Sequence, residues 1–199
     1  MKEPSRTDRR QFLGAGLALC AGAGAPGCAW AHQSFGPVRP PQTVPDLSLM
    51  GADGRARSLA AALRGHVTAL HLMFTTCSAT CPIQGAVFAT VQRQLARAEQ
   101  SMQLLSVSID PLGDDPNALQ AWLKQFGAEP TRWTAAVPRL RDVDGLLDFL
   151  RGRAAGADRH SQQVFVMNRR AEMAYRTGDL ASAEQVIDAM RKVSEVSAR

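Results

Sequence analysis

The sequence predicts an α/β fold, a sandwich with a central mixed sheet, flanking helices and an N-terminal β-hairpin. Two of the observations behind this are the apolar runs at residues 67–74 and 102–109, whose few polar side chains are typical of strands covered on both faces. The third is that helical signals alternate with these runs. With 199 residues, 45% of them hydrophobic, the chain has material for one ordinary core plus appendages.

The first elements are separated by turn and cap residues. Residues 47–50 and 55–58 form a predicted hairpin, because the Gly-Ala-Asp-Gly sequence at 51–54 favours a turn between them. Ser58 is a suitable cap for a short helix that ends before Gly65. This hairpin and helix precede the first buried strand.

The central elements surround a pair of cysteines. The strand at 67–74 leads through a loop into a helix predicted over residues 81–100. Pro82 suits the first turn of that helix, because the N–H that a proline lacks would have no helical partner there. The second buried strand, at 102–109, ends at Asp110, which is followed by a proline.

The second half repeats this alternation. Proline, glycine or aspartate residues mark where its predicted elements begin or end. These elements are a helix at 115–126, a short strand at 132–136, a helix at 138–150, strands at 164–167 and 172–176, and a helix at 181–194. The resulting order of strands and helices is that of a thioredoxin-like α/β sandwich.

The N-terminus resembles an export signal. Residues 7–13 match the twin-arginine pattern, an uncharged Ala/Gly/Leu stretch follows, and Ala29-Trp30-Ala31 offers a small-x-small cleavage site. We therefore predict a twin-arginine-type signal segment at residues 1–31, whose removal leaves His32 first. An uncleaved anchor is the alternative, because residues 11–38 contain no Asp, Glu, Lys or Arg.

Either arrangement predicts a domain that works outside the cytoplasm. With the signal removed the protein is periplasmic; with the leader retained it is anchored to the outer face of the inner membrane. Residues 32–45 contain several prolines and are expected to form an irregular linker, so the thioredoxin-like domain is predicted at residues 46–199. The formal net charge of +5 comes from basic residues interleaved with acids, which argues against a nucleic-acid-binding surface.

The cysteines are the most informative residue type. Of the 4 in the sequence, Cys20 and Cys28 lie in the leader, which leaves Cys77 and Cys81 in the domain. A domain of this size does not need a disulfide in order to fold. We therefore predict that the pair is reactive.

The position of the pair indicates its chemistry. In a helical turn, Cα atoms four residues apart are about 6 Å apart, which a disulfide can span. Cys77 and Cys81 could therefore form a disulfide, remain two thiols, or hold one metal as thiolates, which a helix N-terminus stabilises. Soft thiolates favour copper(I) over Ca²⁺ or Mg²⁺ without excluding zinc. Two inert core cysteines are the alternative, against which the loop position and the following Pro82 argue.

Three segments around the cysteines form a recognisable pattern. Residues 74–82 contain T-C-x-x-x-C-P, residues 106–116 contain V-S-I-D-P-x-x-D-x-P, and His160 stands shortly before a hydrophobic strand. Together, over residues 44–195, they resemble the Sco/SenC copper-chaperone family. The sequence departs from the usual family pattern at Arg159, where an aspartate is common, and in a shorter segment before the histidine.

The resemblance implies a function and a site. It implies copper bound by Cys77, Cys81 and His160, and a role in delivering copper, or in reducing cysteines, during assembly of the copper A centre of cytochrome c oxidase. The implied partner is cytochrome c oxidase subunit II or another copper-receiving protein. Asp110 is expected beside the site, where it orients or balances the charge of the ligands; a turn-forming role is the alternative.

The other histidines have structural interpretations. His71 lies within the first buried run and is expected to pack in the core, and His66 follows a glycine and is expected in a turn. His32 would be a copper(II) chelator only as a free N-terminal residue, and no second ligand for it is evident.

Two other functions use the same cysteines. A thiol-disulfide oxidoreductase is the main alternative, although the cysteines are separated by three residues rather than two and no proline precedes Val164. A thiol peroxidase would require proline and threonine upstream of the cysteine, where the sequence has Leu70 and Phe74. The peroxidase interpretation is therefore disfavoured.

Overall fold

The computed structural model describes residues 35–95, 99, 101–154 and 160–196. The chain divides into two units, residues 1–32 and 33–199, and all of the described residues belong to the second. The predicted signal segment at residues 1–31 and the histidine that follows it, His32, lie outside the described residues. In the part of the chain that is described, no helix is both long and apolar enough to cross a membrane.

The second unit is a mixed α/β domain, which confirms the predicted fold class. Its strands are β1 (Gly36–Thr43), β2 (Ser48–Gly51), β3 (Ala56–Ser58), β4 (Val67–Met73), β5 (Met102–Ser108), β6 (Trp133–Pro138), β7 (Val164–Met167) and β8 (Glu172–Arg176). Its helices are α1 (Leu59–Leu63), α2 (Cys81–Gln94), α3 (Pro116–Gln125), α4 (Val143–Leu150) and α5 (Ala183–Val196). The strands form an eight-stranded sheet in the order β1-β8-β7-β4-β5-β6-β2-β3.

The two apolar runs form the centre of this sheet. β4 pairs in parallel with β5 and antiparallel with β7, and all seven of its residues are buried. Both faces of the sheet are covered, because α2 and α5 pack on one face while α1 and α4 pack on the other. Burying a side chain such as Phe88 or Leu72 fully in these layers contributes about 1.5–3 kcal/mol to the free energy of unfolding.

Two expectations were wrong in detail. Residues Gly36–Thr43 are not an irregular linker but the edge strand β1, which pairs with β8 alone. Prolines are tolerated there because an edge strand has one side that needs no N–H donors. Helix α2 ends at Gln94 rather than at residue 100, because Leu95 adopts an extended conformation that buries its side chain in the core.

The topology places the predicted site at one edge of the sheet. β4 and β5 are parallel, so the loop after Met73 and the turn after Ser108 leave the sheet at the same edge. The carboxyl ends of parallel strands are where open α/β sheets bind ligands. The cysteines follow β4, and Asp110 follows β5.

Candidate metal centre

Cys77 lies in the loop between β4 and α2, and Cys81 begins α2, as predicted. The backbone N–H of Cys77 donates to the Phe74 carbonyl at 3.1 Å, and Cys81 is the first residue of α2, with Pro82 in the first turn. Both are thiols, and their exposed fractions are 8% for Cys77 and 0% for Cys81. The Cys81 sulfur therefore lies at the N-terminus of a 14-residue helix, whose dipole stabilises a thiolate.

An apolar cluster surrounds the two thiols. It contains Met73 from β4, Leu119 and Trp122 from α3, and Ala135 and Val137 from β6. These side chains exclude water from the inner side of the pair. A charge on sulfur there interacts more strongly with a nearby cation than it would in solvent.

His160 contacts Cys81, although 79 residues separate them in the chain. The imidazole Nε2 lies 3.8 Å from Cys81 Sγ, and the side chain is 1% exposed. The backbone contacts that hold the segment include an isolated bridge between Arg153 and His160 and the Ser161 N–H, which donates to the Gly152 carbonyl at 2.6 Å. The Gln162 carbonyl also accepts from the Leu180 N–H at 3.1 Å. The Phe74 ring packs against the imidazole with centroids 6.0 Å apart and nearly perpendicular planes.

Hydrogen bonding fixes the tautomer of His160. Its Nδ1 is 2.9 Å from the backbone carbonyl oxygen of Ser161, which can only accept, so Nδ1 carries the proton. The lone pair of a neutral ring is then on Nε2, the atom that faces Cys81. A backbone carbonyl on one ring nitrogen is the usual support for a histidine that binds a metal through the other.

The three predicted ligands are not arranged as a finished metal site. Among the described residues, no group of three His, Cys, Asp or Glu side chains has the geometry to hold an ion as it stands. The structure does bring Cys81 and His160 together, with Cys77 one turn away in the chain and in the same apolar cluster. Coordination by all three would therefore require a local shift of side chains or of the cysteine loop.

Asp114 is a residue of this region whose role sequence reasoning did not identify. Its carboxylate is 5% exposed and accepts hydrogen bonds from the Thr75 N–H at 3.0 Å, the Thr75 hydroxyl, and the Ser108 hydroxyl at 2.5 Å. It thereby ties the start of the cysteine loop to the end of β5. The sequence did contain a pointer to this residue, because Asp114 is the second aspartate of the pattern at residues 107–116.

Asp110 makes the contacts of a turn residue. Its carboxylate accepts from the Gly113 N–H at 3.1 Å, and its own N–H donates to the Ser108 hydroxyl at 3.0 Å. Gly113 permits this close approach, because a Cβ there would overlap the Asp110 carboxylate. These contacts agree with the turn-forming alternative, and a role beside copper stays a prediction.

His71 is a buried core histidine, as predicted. It is 0% exposed, its Nδ1 lies 3.0 Å from Gln84 Oε1, and its Nε2 lies 2.7 Å from Ser106 Oγ. Burial is the main cause that lowers the pKa of His71 to about 4, with the nearby His160 acting in the same direction. His66 lies in the turn before β4, where its N–H donates to the Leu63 carbonyl.

The fold resembles solved structures of low sequence identity. A SCO1/SenC family lipoprotein from Bacillus anthracis superposes with a TM-score of 0.67 at 20% identity, over 78% of this chain and 98% of that one. Yeast Sco1 with copper bound superposes with a TM-score of 0.65 at 16% identity, over 76% and 88% of the two chains. These likenesses show the fold.

Sequence comparisons show the family. A SCO1 protein homolog of Bacillus subtilis is 27% identical over 90 residues, which are 45% of this chain and 46% of that protein. The matches thus span about half the length of the curated relatives. The SCO1/SenC family model, in contrast, matches residues 37–195, nearly the whole of the described domain. The chain belongs to the SCO1/SenC family.

Proposed function

We propose that this chain is an exported copper-binding protein that delivers copper, or maintains reduced thiols, for assembly of the copper A centre of cytochrome c oxidase. The observation that carries the proposal is the 3.8 Å contact between Cys81 Sγ and Nε2 of His160, whose Nδ1 faces the Ser161 carbonyl. Membership of the SCO1/SenC family and the fold shared with the copper-bound yeast Sco1 support it.

The donor set suits copper(I). Cys77 and Cys81 would supply two thiolates, the second at the start of α2, and His160 would supply Nε2 of a ring whose Nδ1 faces a carbonyl. Soft sulfur and imidazole donors favour copper over the hard ions Ca²⁺ and Mg²⁺. Three protein donors leave the ion accessible to a ligand of the receiving protein, so a bound copper can be passed on.

The apolar surroundings would contribute to retention. Met73 and Trp122 lie beside the thiols, and Phe74 covers one edge of the His160 ring. Exclusion of water strengthens the attraction between the thiolates and the ion. Asp114 acts at a distance from copper in this account, because it holds the first residue of the cysteine loop, Thr75.

The leader and the partner complete the proposal. The twin-arginine pattern at residues 7–13 supports export to the periplasm, with attachment to the membrane if the leader is retained. The proposed recipient is cytochrome c oxidase subunit II or another copper-receiving protein. Its chemistry should include a cysteine-containing site able to take copper(I) from two thiolates and an imidazole.

A thiol-disulfide oxidoreductase is the second candidate function. Both cysteines are thiols, and Cys81 begins α2, so the pair could give two electrons and two protons to a substrate disulfide and become a disulfide itself. The observation against it is Gln163, which stands directly before β7 where a thioredoxin has a cis-proline beside its cysteines. His160, which contacts Cys81, would serve as a metal ligand in the copper-binding proposal and has no role in this alternative.

A copper(I) titration tests the proposal. The reduced protein is expected to bind about one copper(I) per chain, measured by competition with a chromogenic chelator. Cys77→Ser and Cys81→Ser should each abolish tight binding, because each removes a thiolate ligand. His160→Ala should weaken binding by at least the 10–100-fold typical of a disturbed metal shell.

The chain provides a matched control in its other described histidine outside the core. His66 lies at the opposite end of β4 from the cysteines, so His66→Ala should bind copper(I) like the wild type. Equal affinity of the His160→Ala and His66→Ala variants would remove His160 from the site. Repeated reduction of a disulfide substrate by a wild-type protein that retains no copper would favour the oxidoreductase.

A further inference from the structure

A chain of buried hydrogen bonds begins at the tryptophan of β6. Trp133 Nε1 donates to Ser106 Oγ at 2.9 Å, and Ser106 Oγ lies 2.7 Å from His71 Nε2. On the other side of the same ring, His71 Nδ1 lies 3.0 Å from Oε1 of Gln84. All four side chains are at least 96% buried, so the chain crosses the interior from β6 through β5 and β4 to helix α2.

This series of hydrogen bonds ends at the polypeptide segment that carries His160. Gln84 Nε2 donates to the backbone carbonyl of Gln162 at 2.5 Å, two residues after the histidine. Gln84 is also three residues after Cys81 on α2, a spacing that puts two side chains on the same face of a helix. One turn of α2 therefore presents a thiol to His160 and an amide to the backbone just beyond it.

The acceptor at one end of this series of hydrogen bonds, the Gln162 carbonyl, sets the orientation of the groups before it. The Gln162 carbonyl can only accept, so the NH₂ of Gln84 faces it and Oε1 faces His71. His71 Nδ1 must then carry a proton, and in a neutral ring its Nε2 is the acceptor.

Ser106 agrees with the same direction. Its oxygen accepts from the indole N–H of Trp133, which can only donate, and its hydroxyl hydrogen is available to donate to the Nε2 of a neutral His71. This pattern requires a neutral His71 ring. Burial lowers the pKa of His71 to about 4, so the ring is neutral at the pH of a neutral compartment.

We propose that Gln84, oriented by His71, is a positioning residue that holds the His160 imidazole against Cys81. The proposal rests on the proposed copper function, because the position of His160 matters if its Nε2 is a ligand. Gln84 contacts the backbone of the His160 segment and leaves the imidazole nitrogen to the metal. Outer partners of this kind orient the ligand that they support.

Helix α2 offers a matched pair of variants. Gln92, two turns after Gln84, has the same pattern of bonds: its Nε2 donates to the Gly127 carbonyl at 3.0 Å and its Oε1 accepts from the Glu129 N–H at 2.7 Å. Gln84→Met and Gln92→Met each remove a buried amide of similar size and burial from the same helix. A general loss of stability should affect both variants, whereas displacement of His160 should appear in the first alone.

The first measurement needs no copper. In the reduced, metal-free protein, ¹H–¹⁵N spectra of the His160 ring should show the Nδ1-protonated tautomer in the wild type and in Gln92→Met. Gln84→Met should shift these resonances or mix the tautomers. With copper(I), Gln84→Met should bind about 10-fold more weakly than the wild type, the lower end of the range for outer partners, and Gln92→Met should bind equally.

Each outcome decides one of the two proposals. Unchanged His160 resonances and unchanged copper(I) affinity in Gln84→Met would overturn the positioning role, as would equal changes in both methionine variants. A wild type that binds no copper(I) would overturn the proposed function, while the metal-free spectra would still decide the role of Gln84.

A second variant covers the case in which Gln84→Met does not fold. His71→Phe keeps an aromatic ring against Phe88, whose centroid is 4.4 Å from the imidazole, and removes both nitrogens from the chain. It should shift the His160 resonances in the same direction as Gln84→Met. His160 resonances like those of the wild type in folded His71→Phe would contradict the proposal.

Discussion

Acidification should destabilise this domain through His71. The ring is fully buried, and burial, the largest cause, lowers its pKa from 6.5 to about 4; the hydrogen bond to Gln84 and a backbone contact at Leu72 oppose the shift, and His160 adds to it. The unfolded chain, where the pKa of a histidine is about 6.5, therefore binds more protons than the folded one between pH 6.5 and pH 4. Stability that is complete above pH 6.5 is then lost as the pH falls toward 4.

The size of the effect follows from the two pKa values. Linkage between 6.5 and about 4 predicts that this one group lowers the free energy of unfolding by about 2 kcal/mol between pH 7 and pH 5. The loss reaches about 3 kcal/mol at pH 4. Carboxylates contribute little to the pH dependence of stability above pH 5. The change between pH 7 and pH 5 therefore reports mainly on histidine.

Urea denaturation of the reduced, metal-free protein at several pH values measures how steeply the free energy of unfolding changes with pH. The His71→Phe variant should be less stable at pH 7, because Ser106 and Gln84 lose their partner, but it should lack the part of the slope that belongs to His71. Val91→Ala, a core substitution in α2 that keeps all 4 histidines of the sequence, controls for lower stability alone. Identical slopes for the wild type and His71→Phe between pH 5 and pH 7 would refute the reasoning.

Two further predictions use neighbouring or equivalent residues as controls. Asp114→Asn should lower the free energy of unfolding, measured by urea denaturation, by about 2 kcal/mol, because a buried charged acceptor is lost. The control Asp115→Asn should change it by less than about 0.5 kcal/mol, because asparagine caps α3 equally well. Equal losses would contradict the role given to Asp114. Gly85→Ala should lower the melting temperature and cost about 1–3 kcal/mol of the free energy of unfolding, because a Cβ there would lie 2.5 Å from the Phe126 ring. Gly145→Ala in α4, the control, meets only an ordinary contact at 3.6 Å and should be neutral or stabilising. A stabilised Gly85→Ala variant would show that the packing of α2 on Phe126 is looser than the structure indicates.

The sequence predicted the central sheet well because its signals are local. The apolar runs that became β4 and β5, the cap Ser58 and the helix start at Asp115 are each evident within a few residues. Strand β1 was missed because its prolines are an argument against a strand, unless the strand is known to lie at an edge. Edge position is a property of the whole sheet and has no local signal.

The site was predictable to the extent that its residues form motifs. The cysteine pair and the following Pro82 indicated a reactive turn, but spacing alone could not join Cys81 to a histidine 79 residues away; the family resemblance did so. The carboxylate of Asp114 and the amide of Gln84 depend on which strands and helices become neighbours. Their partners are distant in sequence, so their roles required coordinates.

X-ray absorption of the copper(I)-loaded protein tests the central claim most directly. Convergence of Cys77, Cys81 and His160 on one ion predicts two sulfur ligands and one nitrogen ligand, with the nitrogen contribution lost in His160→Ala and retained in His66→Ala. A copper environment with the same nitrogen contribution in the wild type and in His160→Ala would contradict the account.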